Sequence, residues 1–323
     1  MGRGKKQDVT APSNTLKKLA TRLFADQVSH DAFIEALTKP ADYSPALVWL
    51  KDRPERVPFD VEPATDWQPE FVDRVSINQR PGQHPLHQQG DYYCLDFSSV
   101  FTACCLYAVD REPNAVIDLC ASPGGKSIFA WRLLRPEFLL ANEVIKKRTA
   151  ALISNLGRCE ISPAAVVAMD SSRLAAVCPQ SANLVIVDAP CSGQSLIARG
   201  KKSPGCFHPA TINMNANRQR RILANAVQLV APGGYLAYIT CSYSLKENEN
   251  NVRWLLKKNP QFQPIPVNKL RKFQSHLADI PCYRLWPQDG IGAGGFAAIF
   301  KNAEDGIGRP DNWSSLPMAW RSR

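Results

Sequence analysis

A chain of 323 residues, 45% of them apolar and 21% charged, has ample material for a buried core and room for two domains, which excludes the disordered and fibrous classes. The 39 lysines and arginines exceed the 29 acidic residues by 10, a balance that suits a polyanionic partner, most simply nucleic acid. No apolar run reaches membrane-spanning length, no secretory segment opens the chain, and the ten cysteines include no Cys-x-x-Cys pair; these features argue against a membrane protein, export and a bound metal, and for a reducing, cytoplasmic setting.

Residues 1–13, opening Met1-Gly2-Arg3-Gly4-Lys5-Lys6, read as a disordered basic tail. Leu16, Leu19, Leu23 and Phe24 recur at helical spacing, as do Phe33, Ile34 and Leu37, so two short helices are expected. Ser44 suits the cap of a third, holding Leu47 to Leu50. Residues 51–89 are rich in Pro, Arg, Gln and Asp without periodicity and read as a connecting stretch. Residues 14–90 are thus expected to form a small, mainly helical N-terminal module, with Asp91 to Tyr107 packing on the edge of the main domain.

The main domain, 91–302, alternates strand and helix. Strands are expected at 116–120, 138–143, 165–169, 183–188 and 234–240, and helices at 126–134, 145–156, 214–230 and 246–257. Tyr283 to Trp286 and Gly294 to Phe300, joined through Asp289-Gly290, read as an antiparallel hairpin. The expected class is α/β: a doubly wound, mostly parallel, seven-stranded Rossmann-like sheet with an antiparallel closing hairpin. Residues 303–323, rich in Gly, Pro and Ser, read as a C-terminal tail that wanders.

The stretch that organises this domain runs from Val116 to Ser127: a short apolar strand, then Pro123, Gly124 and Gly125, then a helix start. Such a turn lets backbone approach a nucleotide-like ligand and offers it free N–H groups. A phosphate-binding loop ending at Gly125-Lys126-Ser127 would need glycine where Cys120 stands. In open α/β sheets ligands lie beyond the carboxyl ends of the strands. Those ends carry Cys120, Glu143, Asp170, Asp188 and Cys241. Glu143, 18 residues after Gly125, stands where a carboxylate holds a ribose diol, or is a solvated acid at a helix start. Asp170 is either an acceptor for an adenine amino group or the cap before Ser171 and Ser172. With the glycine turn, the two describe a pocket for an adenosine-containing ligand.

Asp188-Ala189-Pro190-Cys191-Ser192-Gly193 places a charge and a thiol straight after an apolar strand, which is costly unless they face a site. Thr240-Cys241-Ser242 repeats the pattern. A buried inert thiol is the common fate of cysteine, but Cys241 ends a strand beside a basic loop, where a thiolate is favoured. Between Asp188 and Glu247 there is no acidic residue, while Arg199, Lys201, Lys202, Arg218, Arg220, Arg221 and Lys246 fall in that interval. An acid-free span flanking the site suits phosphate neutralisation.

Three strings, Cys120-Ala-Ser-Pro-Gly-Gly-Lys126, Asp188-Ala-Pro-Cys-Ser-Gly193 and Thr240-Cys-Ser242 followed by Glu247-Asn248-Glu249, occur in the order and spacing of the RNA cytosine-5 methyltransferases of the RsmB/NOP/NSUN type, and the chain resembles that family over residues 90–300. The resemblance implies S-adenosylmethionine as cofactor, wrapped by Cys120, Ala121, Ser122, Pro123, Gly124, Gly125 and Lys126. Glu143 would hold its ribose, Asp170 its adenine, and Arg148 would add a contact. It further implies Cys241 as nucleophile, Cys191 as the thiol that assists product release, and Asp188 between cofactor and base. Arg199, Lys201, Lys202, Arg218, Arg220 and Arg221, with the N-terminal region, would contact RNA. Gln194-Ser195 departs from the family, which has Leu-Gly or similar there, and no appended RNA-binding domain is expected after residue 300.

Carbon 5 of cytosine is too weak a nucleophile to take a methyl group unaided. A thiolate adding at carbon 6 makes it enamine-like, splitting one hard step into easier ones. The expected function is therefore an RNA 5-methylcytosine methyltransferase acting as a monomer, with ribosomal RNA ahead of transfer RNA as substrate. Two rivals are a DNA cytosine methyltransferase, which would make Cys191 the attacking group, and a non-catalytic RNA-binding ribosome assembly factor.

Overall fold

The computed structural model describes residues 12–309 and 313–322; the basic tail expected at 1–13 lies almost wholly outside them. Two helices open the chain. Asn14–Leu23 is capped by Ser13, which accepts from the Leu16 N–H, and Gln27–Thr38 by Asp26, which accepts from Ser29. Their apolar stripes (Leu16, Leu19, Leu23, Phe24, Phe33, Leu37) do not close on themselves. They pack against Ala198, Tyr243 and Ala293, so the helical pair buttresses two loops of the main domain. Phe33 meets the Tyr243 ring edge-on at 5.1 Å and Phe24 meets Trp286 at 4.8 Å.

The helix expected around Leu47 is a strand instead. Strands β1 (Pro45–Trp49), β2 (Val72–Arg74) and β3 (Tyr92–Asp96) form an antiparallel sheet in the order β2-β1-β3. Leu47 and Trp49 face one apolar cluster, Ala46 and Val48 another. With both faces buried the alternation vanishes from the sequence, and a short apolar run cannot then be told from a buried helix turn.

The main sheet runs β4 (Ala115–Asp118), β5 (Phe138–Asn142), β6 (Ala164–Val167), β7 (Ala182–Asp188), β8 (Val230–Thr240), β9 (Phe262–Pro264), β10 (Tyr283–Leu285), β11 (Gly295–Asn302) and β12 (Met318–Arg321) along the chain. In space the order is β10-β11-β8-β7-β4-β5-β6-β12, with β9 paired to β11. β4 to β8 are mutually parallel, and β11, β10, β9 and β12 are antiparallel additions. This is the expected doubly wound sheet with its closing hairpin. All seven expected strands are present, and two short ones join them. One is β12, in the segment expected to wander: the open edge of β6 presents unpaired backbone groups, which β12 takes up, while Trp313 packs on Phe138 at 5.5 Å. No helix among the described residues is long and apolar enough to cross a membrane.

Successive parallel strands step from β4 to β6 in one direction, then cross to β7 and β8 on the other side of β4. The topological switch lies between β4 and β7, so a crevice opens beyond their carboxyl ends. The flank of this crevice is held by a buried ion pair. The Arg284 guanidinium donates to both Glu249 oxygens at 2.6 Å and to the Tyr243 carbonyl at 3.1 Å. Burial pushes the Glu249 carboxyl up, but the charge and hydrogen bond of Arg284, joined by the Ser275 hydroxyl, together hold the group below its ordinary range. Arg284→Met should strand that charge and lower stability by about 3–5 kcal/mol, read from urea unfolding midpoints.

Candidate active site

Asp118 ends β4 and closes the glycine turn. Its carboxylate accepts from the Cys120 N–H at 3.2 Å and the Ser127 hydroxyl at 2.7 Å, pinning both ends of the loop. Gly124 has φ of +113°, open to glycine, and a Cβ at Gly125 would sit 2.6 Å from the Leu95 side chain. The turn is also tied to the helix Lys146–Arg158: Ser122 donates to the Arg148 carbonyl at 2.9 Å, Arg148 donates back to the Ser122 carbonyl at 2.7 Å, and Asn155 donates to the Pro123 carbonyl.

Burial, opposed by the Ser127 hydrogen bond, pushes Asp118 up to about 7. A carboxyl raised in the fold binds its proton more tightly than in the unfolded chain, so its contribution is complete below about pH 4 and is lost as pH rises through 7. Asparagine can keep both contacts, its oxygen accepting from Cys120 and its amide donating to Ser127. Asp118→Asn should therefore gain stability relative to the native chain between pH 4 and pH 8, by ~2 kcal/mol or more, seen as a widening difference in Tm.

Beyond the turn lies a cavity of about 940 Å³, lined on one side by Cys120, Ser122, Glu143, Arg148 and Asp170. Glu143 is buried, its carboxylate accepting from the Ile145 N–H at 2.9 Å and pairing with Arg148 at 3.3 Å. Asp170 caps the helix Ser171–Val177 through Ser172, which holds its carboxyl below the usual range, and it also lines the cavity. Ala121 lies behind the cavity wall, where its N–H donates to the Asn142 carbonyl. Burial pushes the Cys120 thiol up, which leaves it unreactive.

The other side is lined by Asp188, Cys191 and Cys241. Lys126, itself buried, donates to Asp188 at 3.2 Å. β7 and β8 run in parallel register with Asp188 beside Ile239, so the loops that leave them carry both cysteines to the same place. The sulfurs of Cys191 and Cys241 stand 2.9 Å apart. A hydrogen bond from Cys191, aided by Ser195 and Lys126, holds the Cys241 thiol below its ordinary value, while the same contact and burial push Cys191 up. The pair thus favours a thiolate at Cys241 and a thiol at Cys191.

The basic residues divide. Arg218 and Arg221, three apart on the helix Pro209–Leu229, line the cavity mouth. Arg220 turns away to Asn251 at 2.9 Å and the Trp254 ring, Arg199 pairs with Asp96 at 2.8 Å, and Lys201 and Lys202 are exposed on their loop. Sequence reasoning missed several groups. Asn142 donates to the carbonyls of Leu119 and Met169 and accepts from the Met169 N–H, fastening three strand ends together. Val144 and Ile145 are exposed apolar side chains on the cavity wall. Asn142 ends its strand, one residue before the expected end at Glu143.

A sequence model of the family described as 16S rRNA methyltransferase RsmB/F matches residues 105–301. The chain is 30% identical over 241 residues to ribosomal RNA small subunit methyltransferase F of Cronobacter sakazakii, covering 72% of this chain and 50% of that one. It is 31% identical over 257 residues to the enzyme of the same name from an Enterobacter species, covering 75% and 53%. The chain thus spans about half the length of these curated relatives. Among solved structures, NSun6 from Pyrococcus horikoshii with SFG superposes with a TM-score of 0.71 at 17% identity, covering 91% of this chain and 99% of that one. A methyltransferase homologue from the same organism gives 0.70 at 20% identity, covering 90% and 99%. Both show the fold.

Proposed function

We propose that this chain, which belongs to the RsmB/F family of 16S rRNA methyltransferases, transfers a methyl group from S-adenosylmethionine to carbon 5 of a cytosine in RNA, with ribosomal RNA as the first target to test and transfer RNA as the second. The observation that carries this reading is the pair of sulfurs 2.9 Å apart on the wall of a cavity that Glu143 and Asp170 also line. The donor set fits the cofactor: Glu143 offers a carboxylate to vicinal hydroxyls, Asp170 an acceptor to an amino group, and Val144, Ile145 and Met169 an apolar surface to a purine. When bound, S-adenosylmethionine supplies an electrophilic methyl group.

The protein's part begins at Cys241. Its thiolate adds to carbon 6 of the cytosine and raises electron density at carbon 5. Asp188, steadied by Lys126, stands on the same wall to stabilise a proton at the ring N3. After transfer, Cys191 gives its own proton to solvent and takes the one at carbon 5, while the carbon 6–sulfur bond breaks and its electron pair returns to Cys241. Arg218 and Arg221 at the mouth supply charge for phosphates on either side of a base turned out of its stack. A DNA-type mechanism would use Cys191 alone, and the second thiol in contact with it favours the RNA type.

The test is bisulfite sequencing of total RNA from cells with and without the gene, paired with transfer of labelled methyl groups to ribosomal RNA by the purified protein. A cytosine protected only when the gene is present is the expected result. Unchanged protection everywhere, with no label incorporated, would sink the proposal.

A further inference from the structure

The two thiol-bearing loops meet on a buried carboxylate that the mechanism above leaves unused. Glu247 is fully buried and accepts four hydrogen bonds. At Oε2 these come from the Ser192 N–H (2.9 Å) and the Gln219 amide (3.0 Å); at Oε1 they come from the hydroxyls of Ser192 (2.5 Å) and Ser242 (2.8 Å). Ser192 follows Cys191 and Ser242 follows Cys241, so one side chain grips the residue next to each sulfur. Gln219 extends the grip by donating to the Pro190 carbonyl at 3.1 Å.

A second brace is Gln194. Its oxygen accepts from the Tyr243 N–H at 2.8 Å and lies 3.2 Å from the Ser242 hydroxyl, while its amide donates to the Cys206 carbonyl at 2.9 Å. A buried charge is tolerated only when its hydrogen bonds are complete. Both contacts at Oε2 come from N–H donors, so that position demands an acceptor, whereas the two hydroxyls at Oε1 can also accept; an apolar side chain there would strand all four groups.

We propose that Glu247 is a positioning residue that sets the separation of the Cys191 and Cys241 sulfurs, with Gln194 as a second brace. The inference rests on the proposed reaction only for its activity readout. The geometric readout is independent. Diamide accepts two electrons and two protons from two thiols, becoming the hydrazine as the S–S bond forms, so the rate of Cys191–Cys241 cross-linking reports how the sulfurs are held. Mass spectrometry of the linked peptides follows that rate.

In Glu247→Leu cross-linking should slow by about tenfold or more, and kcat should fall comparably while KM for RNA and cofactor stays within about twofold. Gln194→Leu should show the same pattern at roughly two- to fivefold. A folded Glu247→Leu, judged by circular dichroism, that cross-links and turns over at the native rates would overturn the proposal. If that variant fails to fold, Ser242→Ala, which removes one donor, decides: native cross-linking overturns it, and slowing supports it. If the native chain methylates no RNA yet cross-linking slows in Glu247→Leu, the proposed function fails and the clamp stands.

Discussion

Cys191→Ala should leave a covalent complex between protein and RNA that survives denaturation, whereas the native chain releases its product. The two sulfurs stand 2.9 Å apart, and the hydrogen bond between them pushes the Cys191 thiol up while it holds Cys241 below its ordinary value. Removing it takes away the group placed to handle the last proton, so addition proceeds and elimination stalls. Incubation with RNA and cofactor followed by denaturing electrophoresis should show a band of raised mass that nuclease treatment collapses. Loss of all adduct in Cys191→Ala would instead make Cys191 the attacking thiol and reverse the two roles. A second consequence needs no RNA. Cys191 is the largest influence lowering the Cys241 thiol, so without it alkylation of Cys241 by iodoacetamide should require higher pH. The sign follows from a lost donor, which destabilises the thiolate and raises its pKa.

Cys241→Ala should abolish both the adduct and methyl transfer, with kcat falling by at least about 10³-fold, as when a covalent nucleophile is removed. Binding should persist, because Glu143, Asp170, Arg218 and Arg221 line the cavity independently of that sulfur. Equilibrium binding of S-adenosylhomocysteine, measured by calorimetry, should be within a few-fold of native. A Cys241→Ala chain that still methylates RNA at the native rate would show that carbon 5 is activated some other way. A loss of cofactor binding of the same size would mean that the change had disturbed the fold rather than the chemistry.

The helical pair at the N-terminus gives these results a structural frame. Expected from sequence as a small module that contacts RNA, it is wedged against Tyr243 and Ala198, in the segments that follow Cys241 and Cys191. Glu247 holds those loops from below and the helices hold them from outside. The Arg284–Glu249 pair, bonded to the Tyr243 carbonyl, secures the same loop from a third side. Three separate devices thus restrain the chain around one thiol.

The amino-acid sequence on its own determined the alternation of strands and helices, the glycine turn, and the acids and thiols that end the strands. These are local features. A parallel strand buried on both faces is a continuous apolar run, and whatever directly follows it lies at the sheet's carboxyl edge wherever the strand is placed. The split among the arginines was also available locally, since residues 218 and 221 share a helix face that 220 does not. Tertiary structure alone decided that Pro45–Trp49 is a strand and that 318–321 closes an open edge, because each takes its conformation from a pairing partner distant in the chain. It alone decided that cysteines 50 residues apart meet at 2.9 Å, and that Glu247 joins the residues beside them. Such contacts follow from strand order and register, and hydrogen bonds between segments far apart leave no periodicity for a sequence to show.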